Sequence, residues 1–88
     1  MDGGRYKDAL RIALEGVEIA PNDLYMLFNA GSLSFAFSEQ NWKKYLTKFV
    51  FLSKQVPNVI PSDVVASAEL ALTNGKMASV QILTPQQP

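Results

Sequence analysis

Two residue types with specialised chemistry are missing from this chain of 88 residues, which contains no cysteine and no histidine. Without cysteine the chain has no disulfide, no thiolate metal ligand and no cysteine nucleophile. Without histidine it lacks the commonest metal ligand and the usual general base, so nothing of that kind activates its serines. A glycine-rich phosphate loop is missing as well. We therefore expect a protein that is not an enzyme and that holds no metal or cofactor.

Net charge and long apolar runs are also lacking. Eight basic and eight acidic side chains cancel, so whole-molecule attraction to nucleic acid or to an anionic membrane is not expected. The most apolar stretch runs from Leu24 to Phe37 and contains polar residues, whereas a bilayer-spanning helix needs roughly 20 apolar residues. The first residues do not resemble a signal peptide. A cytoplasmic chain that binds neither nucleic acid nor membrane is the default expectation.

The chain is nevertheless rich in material for a core, with 48% hydrophobic and 18% charged residues, which is typical of a folded domain. Apolar residues recur every three or four positions, and this is the period of an amphipathic helix. The pattern predicts five helices at about 6–20, 24–37, 42–55, 62–73 and 76–83. Asn22 or Asp23 is expected to cap the second helix and Ser62 the fourth. We expect one all-α domain of antiparallel helices over residues 1–84 and a frayed tail at 85–88.

Two blocks of the sequence, residues 6–21 and 42–57, repeat each other. Tyr6 in the first block corresponds to Trp42 in the second, and Pro21 corresponds to Pro57, each pair 36 positions apart. Each block opens with an aromatic residue, contains apolar or small residues, and is followed by a proline and an asparagine. A period in the mid-thirties is typical of a solenoid built from helix–turn–helix units. This repeat therefore favours an array of helical hairpins.

Residues 4–31 resemble the tetratricopeptide repeat family, and residues 42–58 do so less closely. The positions that carry the resemblance are Tyr6, Ala9, Ala13, Gly16, Pro21, Gly31, Trp42 and Pro57. The resemblance implies a short solenoid that mediates protein–protein interaction. Tyr45 stands where the family usually has alanine, and residues beyond 58 keep little of the pattern, so an unrelated five-helix bundle remains the alternative.

The resemblance also implies that the array begins with the second helix of a hairpin. The first helix of that hairpin has no counterpart in the sequence, so the side that it would cover should be exposed. We expect either a piece of a longer protein or a chain that assembles with a partner.

A binding site follows from the same resemblance, because the first helix of each hairpin lines the family's concave groove. On the second predicted helix, one stripe at helical spacing would face that groove: Tyr25, Phe28, Ser32 and Phe35. Such a stripe could hold a helical or extended peptide, whereas an array that closes on itself would bury it. The function that we expect is a non-catalytic interaction module, an adaptor or chaperone. Self-association or scaffolding within a larger assembly is the alternative.

The charged residues are unevenly distributed. Residues 40–57 carry no acid and four lysines, namely Lys43, Lys44, Lys48 and Lys54. A solvated helix face is the simpler interpretation of these lysines, and contact with a phosphate or an acidic partner is the alternative. In the first helix, Asp8, Arg11 and Glu15 have the spacing of a surface ion pair.

Overall fold

The computed structural model describes residues 2–56 and 58–76, with the backbone alone for residues 2–5. This part of the chain contains four α-helices: α1 (Asp2–Ile19), α2 (Leu24–Ala36), α3 (Trp42–Gln55) and α4 (Ser62–Asn74). Neither described range contains a strand, so the all-α class is confirmed. No helix in these ranges has the length and apolar character needed to cross a bilayer.

The described residues contain four helices, whereas the sequence pattern predicted five. Apart from Lys76, the predicted fifth helix lies outside the described residues, and so do Pro57 and the tail at 85–88. The predicted bounds of α3 are confirmed. The first helix begins at Asp2, earlier than predicted, because its first turn carries no apolar residue from which a helical period could be detected.

The start of α2 is fixed by Asp23, as one of the two predicted caps. Its backbone is extended, and its carboxylate Oδ1 accepts hydrogen bonds from the amides of Tyr25 at 2.9 Å and Met26 at 3.2 Å. These amides lie in the first turn of the helix, where no backbone carbonyl is available to them. The cap therefore sets the point at which the chain turns from α1 into α2.

The ends of α4 follow different rules. Ser62 is not the N-cap but the first helical residue, and Pro61 occupies the cap position. The Pro61 carbonyl accepts from the amides of Val64 and Val65, and the missing proline N–H has no cost at a helix start. At the other end, Gly75 has a φ of 70° and its amide donates to the Ala71 carbonyl. This left-handed C-cap favours glycine.

The helices pack in sequence, and α2 lies at the centre of the arrangement. It packs against both α1 and α3, and α3 packs against α4. Completely buried side chains on α2, α3 and α4 form the core, among them Leu27, Phe28, Leu46, Phe49 and Ala68. The nearly continuous burial of α2 agrees with its apolar composition on all sides.

α2 approaches α3 closely at Gly31. A Cβ atom on this residue would lie 2.7 Å from Cγ and 3.2 Å from the backbone nitrogen of Leu46. Both distances are shorter than ordinary carbon contacts. The two helices therefore meet at a point where only a residue without a side chain fits.

Candidate functional site

The predicted stripe on α2 is largely internal. Phe28 and Ser32 are 1% and 0% exposed, because helices cover α2 on both sides. Tyr25 is partly buried and packs against the core. Phe35 is also partly buried, and its ring meets that of Trp42 edge-on with centroids 4.8 Å apart. The two central residues of the stripe thus lie in the core and do not line an open groove in this structure.

An open groove lies instead between α1 and α3. These two helices both pack on α2 but hardly touch each other, so a cleft of about 420 Å³ remains between them. Its apolar lining consists of Leu14, Val17, Pro21, Leu27 and Tyr45. Leu27 is 1% exposed and belongs to α2, so it forms the base of this cleft. We call it the α1/α3 groove.

The two sides of the α1/α3 groove carry opposite charges. Lys44 and Lys48 line it from α3, and Glu18 lines it from α1. All three side chains are exposed, and no described residue forms an ion pair with them. The Lys44 ammonium lies 5.8 Å from the centroid of the Tyr45 ring. The groove therefore offers partly buried apolar side chains and, on one side, two lysines that form no ion pair with a described residue.

The local sequence explains how these side chains reach the groove. Leu14 and Val17 are three residues apart, which places them on one face of α1. The turn at 20–23 directs the chain into α2, so Leu27 follows beneath them. Lys44 and Lys48 are four residues apart and therefore lie one above the other on α3.

Other ionic contacts lie away from the groove. Arg11 contacts Asp8 at 3.7 Å and Glu15 at 3.9 Å, which confirms the predicted surface ion pair on α1. Lys54 and Glu69 join α3 to α4 at 2.7 Å. Among the described residues, no group of three or more His, Cys, Asp or Glu side chains could hold a metal ion.

Sequence reasoning did not predict this groove. Leu14 and Tyr45 have the helical spacing of core residues, and the sequence alone does not reveal that α1 and α3 leave a gap between them. The signal in the sequence that could have indicated a binding site was the pair Lys44 and Lys48, for which contact with an acidic partner was the alternative to a solvated helix face.

Comparison of the chain with family models, curated proteins and solved structures gives no match. The basis for a functional assignment is therefore the geometry of the described residues. Within that part of the chain, the α1/α3 groove combines concave shape, apolar lining and unpaired cations, which are the usual features of a binding site.

Proposed function

We propose that this chain is a non-catalytic protein-interaction module, an adaptor or chaperone-like subunit, which binds a helical or extended segment of a partner protein. The binding site is the α1/α3 groove. The observation that carries the proposal is the cleft of about 420 Å³ with an apolar base and two lysines along one side. The site differs from the stripe predicted on α2 because Phe28 and Ser32 are buried.

The chemistry of the groove defines the segment that it would bind. Leu14, Val17 and Tyr45 line the groove and are only partly buried, so they offer contact to an apolar side chain, which supplies affinity through the burial of apolar area. Lys44 and Lys48 attract acidic side chains, and their spacing of about 5–6 Å between Cβ atoms matches acids one turn apart on a helix. Glu18 on the opposite side repels a further acid there. The partner segment therefore has an apolar anchor with acidic residues along one flank.

A tetratricopeptide-like arrangement of the helices is part of the same proposal. In its support, Ala13 is 2% exposed, and a Cβ atom on Gly16 would collide with the Met26 side chain. Gly31 is more tightly restricted, because a Cβ atom there would meet the backbone nitrogen of Leu46 as well as its side chain. In addition, each helix from α1 to α4 packs against the next one in the sequence, as in a solenoid, where each unit contacts only its neighbours.

Other positions of the predicted repeat are less buried. Ala9, Gly16 and Trp42 are partly buried, and Pro21 is exposed. Tyr6 is 39% exposed, so its ring is not a full member of the core. Two of these residues have local roles. Pro21 begins the turn into α2, and Trp42 is the first residue of α3 and packs edge-on against the Phe35 ring.

A peptide-selection experiment tests the proposed site. A displayed library of random peptides is selected on the wild-type chain, and the enriched peptides are assayed against the variant K44E/K48E. Enriched sequences should combine an apolar residue with nearby acids, and the charge reversal should weaken their binding by roughly tenfold, or about 1.4 kcal/mol. Binding should also weaken as the salt concentration rises, because the lysines are exposed.

The matched control is K43E/K76E, which changes the net charge equally. Both of these lysines are exposed, and neither lines the groove. Peptide affinity should remain within a factor of about two of the wild type, since remote surface charges contribute little. Equal affinity in both double variants, or failure to enrich any peptide, would overturn the assignment of the groove.

A further inference from the structure

The outer surface of α1 carries an alternating stripe of acidic and aliphatic residues, which we call the α1 stripe. It consists of Asp8, Ile12, Glu15 and Ile19, which are four, three and four residues apart and therefore adjacent on the helix. Ile12 is 56% exposed and Ile19 is 85% exposed. The stripe therefore presents two large apolar side chains to solvent on one face, and their burial against another surface would be favourable.

A second stripe with the same spacing lies on α3. This α3 stripe consists of Lys44, Lys48, Phe51 and Gln55, all of them exposed. The Phe51 ring is 63% exposed, with a lysine three residues before it. The α3 stripe has bases and no acid, whereas the α1 stripe has acids and no base.

We propose that the α1 stripe of one copy of this chain packs antiparallel against the α3 stripe of a second copy. In the antiparallel register that sets Ile12 opposite Phe51, the equal spacing also sets Glu15 opposite Lys48. Ile19 then meets the aliphatic stem of Lys44, which can cover apolar surface while its ammonium stays in water. A parallel register would instead place Ile12 against a lysine and Glu15 against Phe51.

The existing ion pairs on α1 do not compete strongly with this contact. Arg11 reaches Asp8 and Glu15 only at 3.7 and 3.9 Å, with more than 60% of each side chain exposed. Exposed pairs of this kind contribute about 0–1 kcal/mol. The carboxylates therefore remain available to the lysines of a second copy.

The contact joins two different surfaces, so it is head-to-tail. Each copy that uses its α1 stripe leaves its α3 stripe free for another copy, and association continues unless the rotation closes a ring. The fraction of associated chains should rise with protein concentration, and the affinity should fall as salt is added because the charged partners are exposed.

Sedimentation equilibrium of the purified chain tests this proposal. The weight-average mass of the wild type should rise with concentration between about 10 μM and 1 mM, and should rise less at about 0.5 M salt, where screening is strong. I12S/I19S removes the α1 stripe and F51S removes the α3 stripe, and each variant alone should remain monomeric. An equimolar mixture of the two should form a 1:1 complex and nothing larger, because each variant keeps one functional stripe.

Leu70→Ser is the matched control, since Leu70 is 43% exposed on α4 and belongs to neither stripe. It should associate as the wild type does. Isoleucine, phenylalanine and serine have similar helix propensities, so the thermal melts of the stripe variants should be close to that of the wild type. A monomeric wild type at all concentrations, self-association of either stripe variant, or a mixture that stays monomeric would overturn the proposal. Lys44 and Lys48 also line the α1/α3 groove, so a second copy and a bound peptide would compete for them. The sedimentation experiment contains no peptide, so its failure would leave the proposed function of the groove untouched.

Discussion

Replacement of Phe28 by alanine is expected to lower the free energy of unfolding by about 3–5 kcal/mol. The side chain is 1% exposed, and its ring centroid lies 5.1 Å from that of Phe49 in the core. Removal of the ring takes away its buried area and leaves a cavity between α2 and α3. Since small domains have a total stability of about 5–15 kcal/mol, much of the fold's stability would be lost. Urea unfolding followed by circular dichroism measures the change.

Phe51→Ala is the matched control for this prediction. Phe51 is 63% exposed, so the same substitution there should change the stability by no more than about 0.5 kcal/mol. A Phe28→Ala variant that keeps the wild-type stability but loses peptide binding would contradict the structure. That outcome would mean that the stripe predicted on α2 lines an open groove after all.

Replacement of Gly31 by alanine should destabilise the fold by about 1–3 kcal/mol. Alanine favours a helix over glycine by about 1 kcal/mol, but a Cβ atom at this position would lie 3.2 Å from the backbone nitrogen of Leu46. Because a backbone atom of a packed helix cannot move aside, α2 and α3 must separate. In a domain of this size, each 1 kcal/mol lowers the melting temperature by roughly 4–8 °C, and a thermal melt records it.

Gly16→Ala provides the comparison. A Cβ atom on Gly16 would meet only the side chain of Met26, which is unbranched and can adopt another rotamer. The gain in helix propensity should largely offset that adjustment, so the melting temperature should change little. Equal and stabilising effects at both glycines would mean that α2 and α3 are not in close contact at Gly31.

The helices themselves could be predicted from the sequence to a large extent. α2 begins at Leu24, and α3 runs from Trp42 to Gln55. The start of each helix follows a short break in the apolar periodicity, at residues 21–23 before α2 and at residues 38–41 before α3. Ser62 was assigned wrongly as a cap because Pro61 can fill the same position with its carbonyl alone. Local chemistry thus determined most boundaries but did not distinguish between two adjacent capping residues.

The location of the site could not be predicted in the same way. Periodicity shows that Tyr25, Phe28 and Phe35 share a face of α2, but α2 is apolar on nearly every side, so no polar face marks the side toward solvent. The α1/α3 groove depends on a gap between two helices that are distant in sequence. Only the packing of both helices on α2 places Leu14 near Lys48.

The most direct test of the proposed function is a map of backbone amide chemical shifts during titration with the tightest-binding selected peptide. We expect the largest changes at residues that line the α1/α3 groove, especially Val17, Leu27 and Tyr45, with smaller changes at the exposed surface of α4. Changes concentrated instead around Tyr25 and Phe35, or along Ile12 and Ile19, with the groove residues unaffected, would contradict the claim that this groove is the binding site.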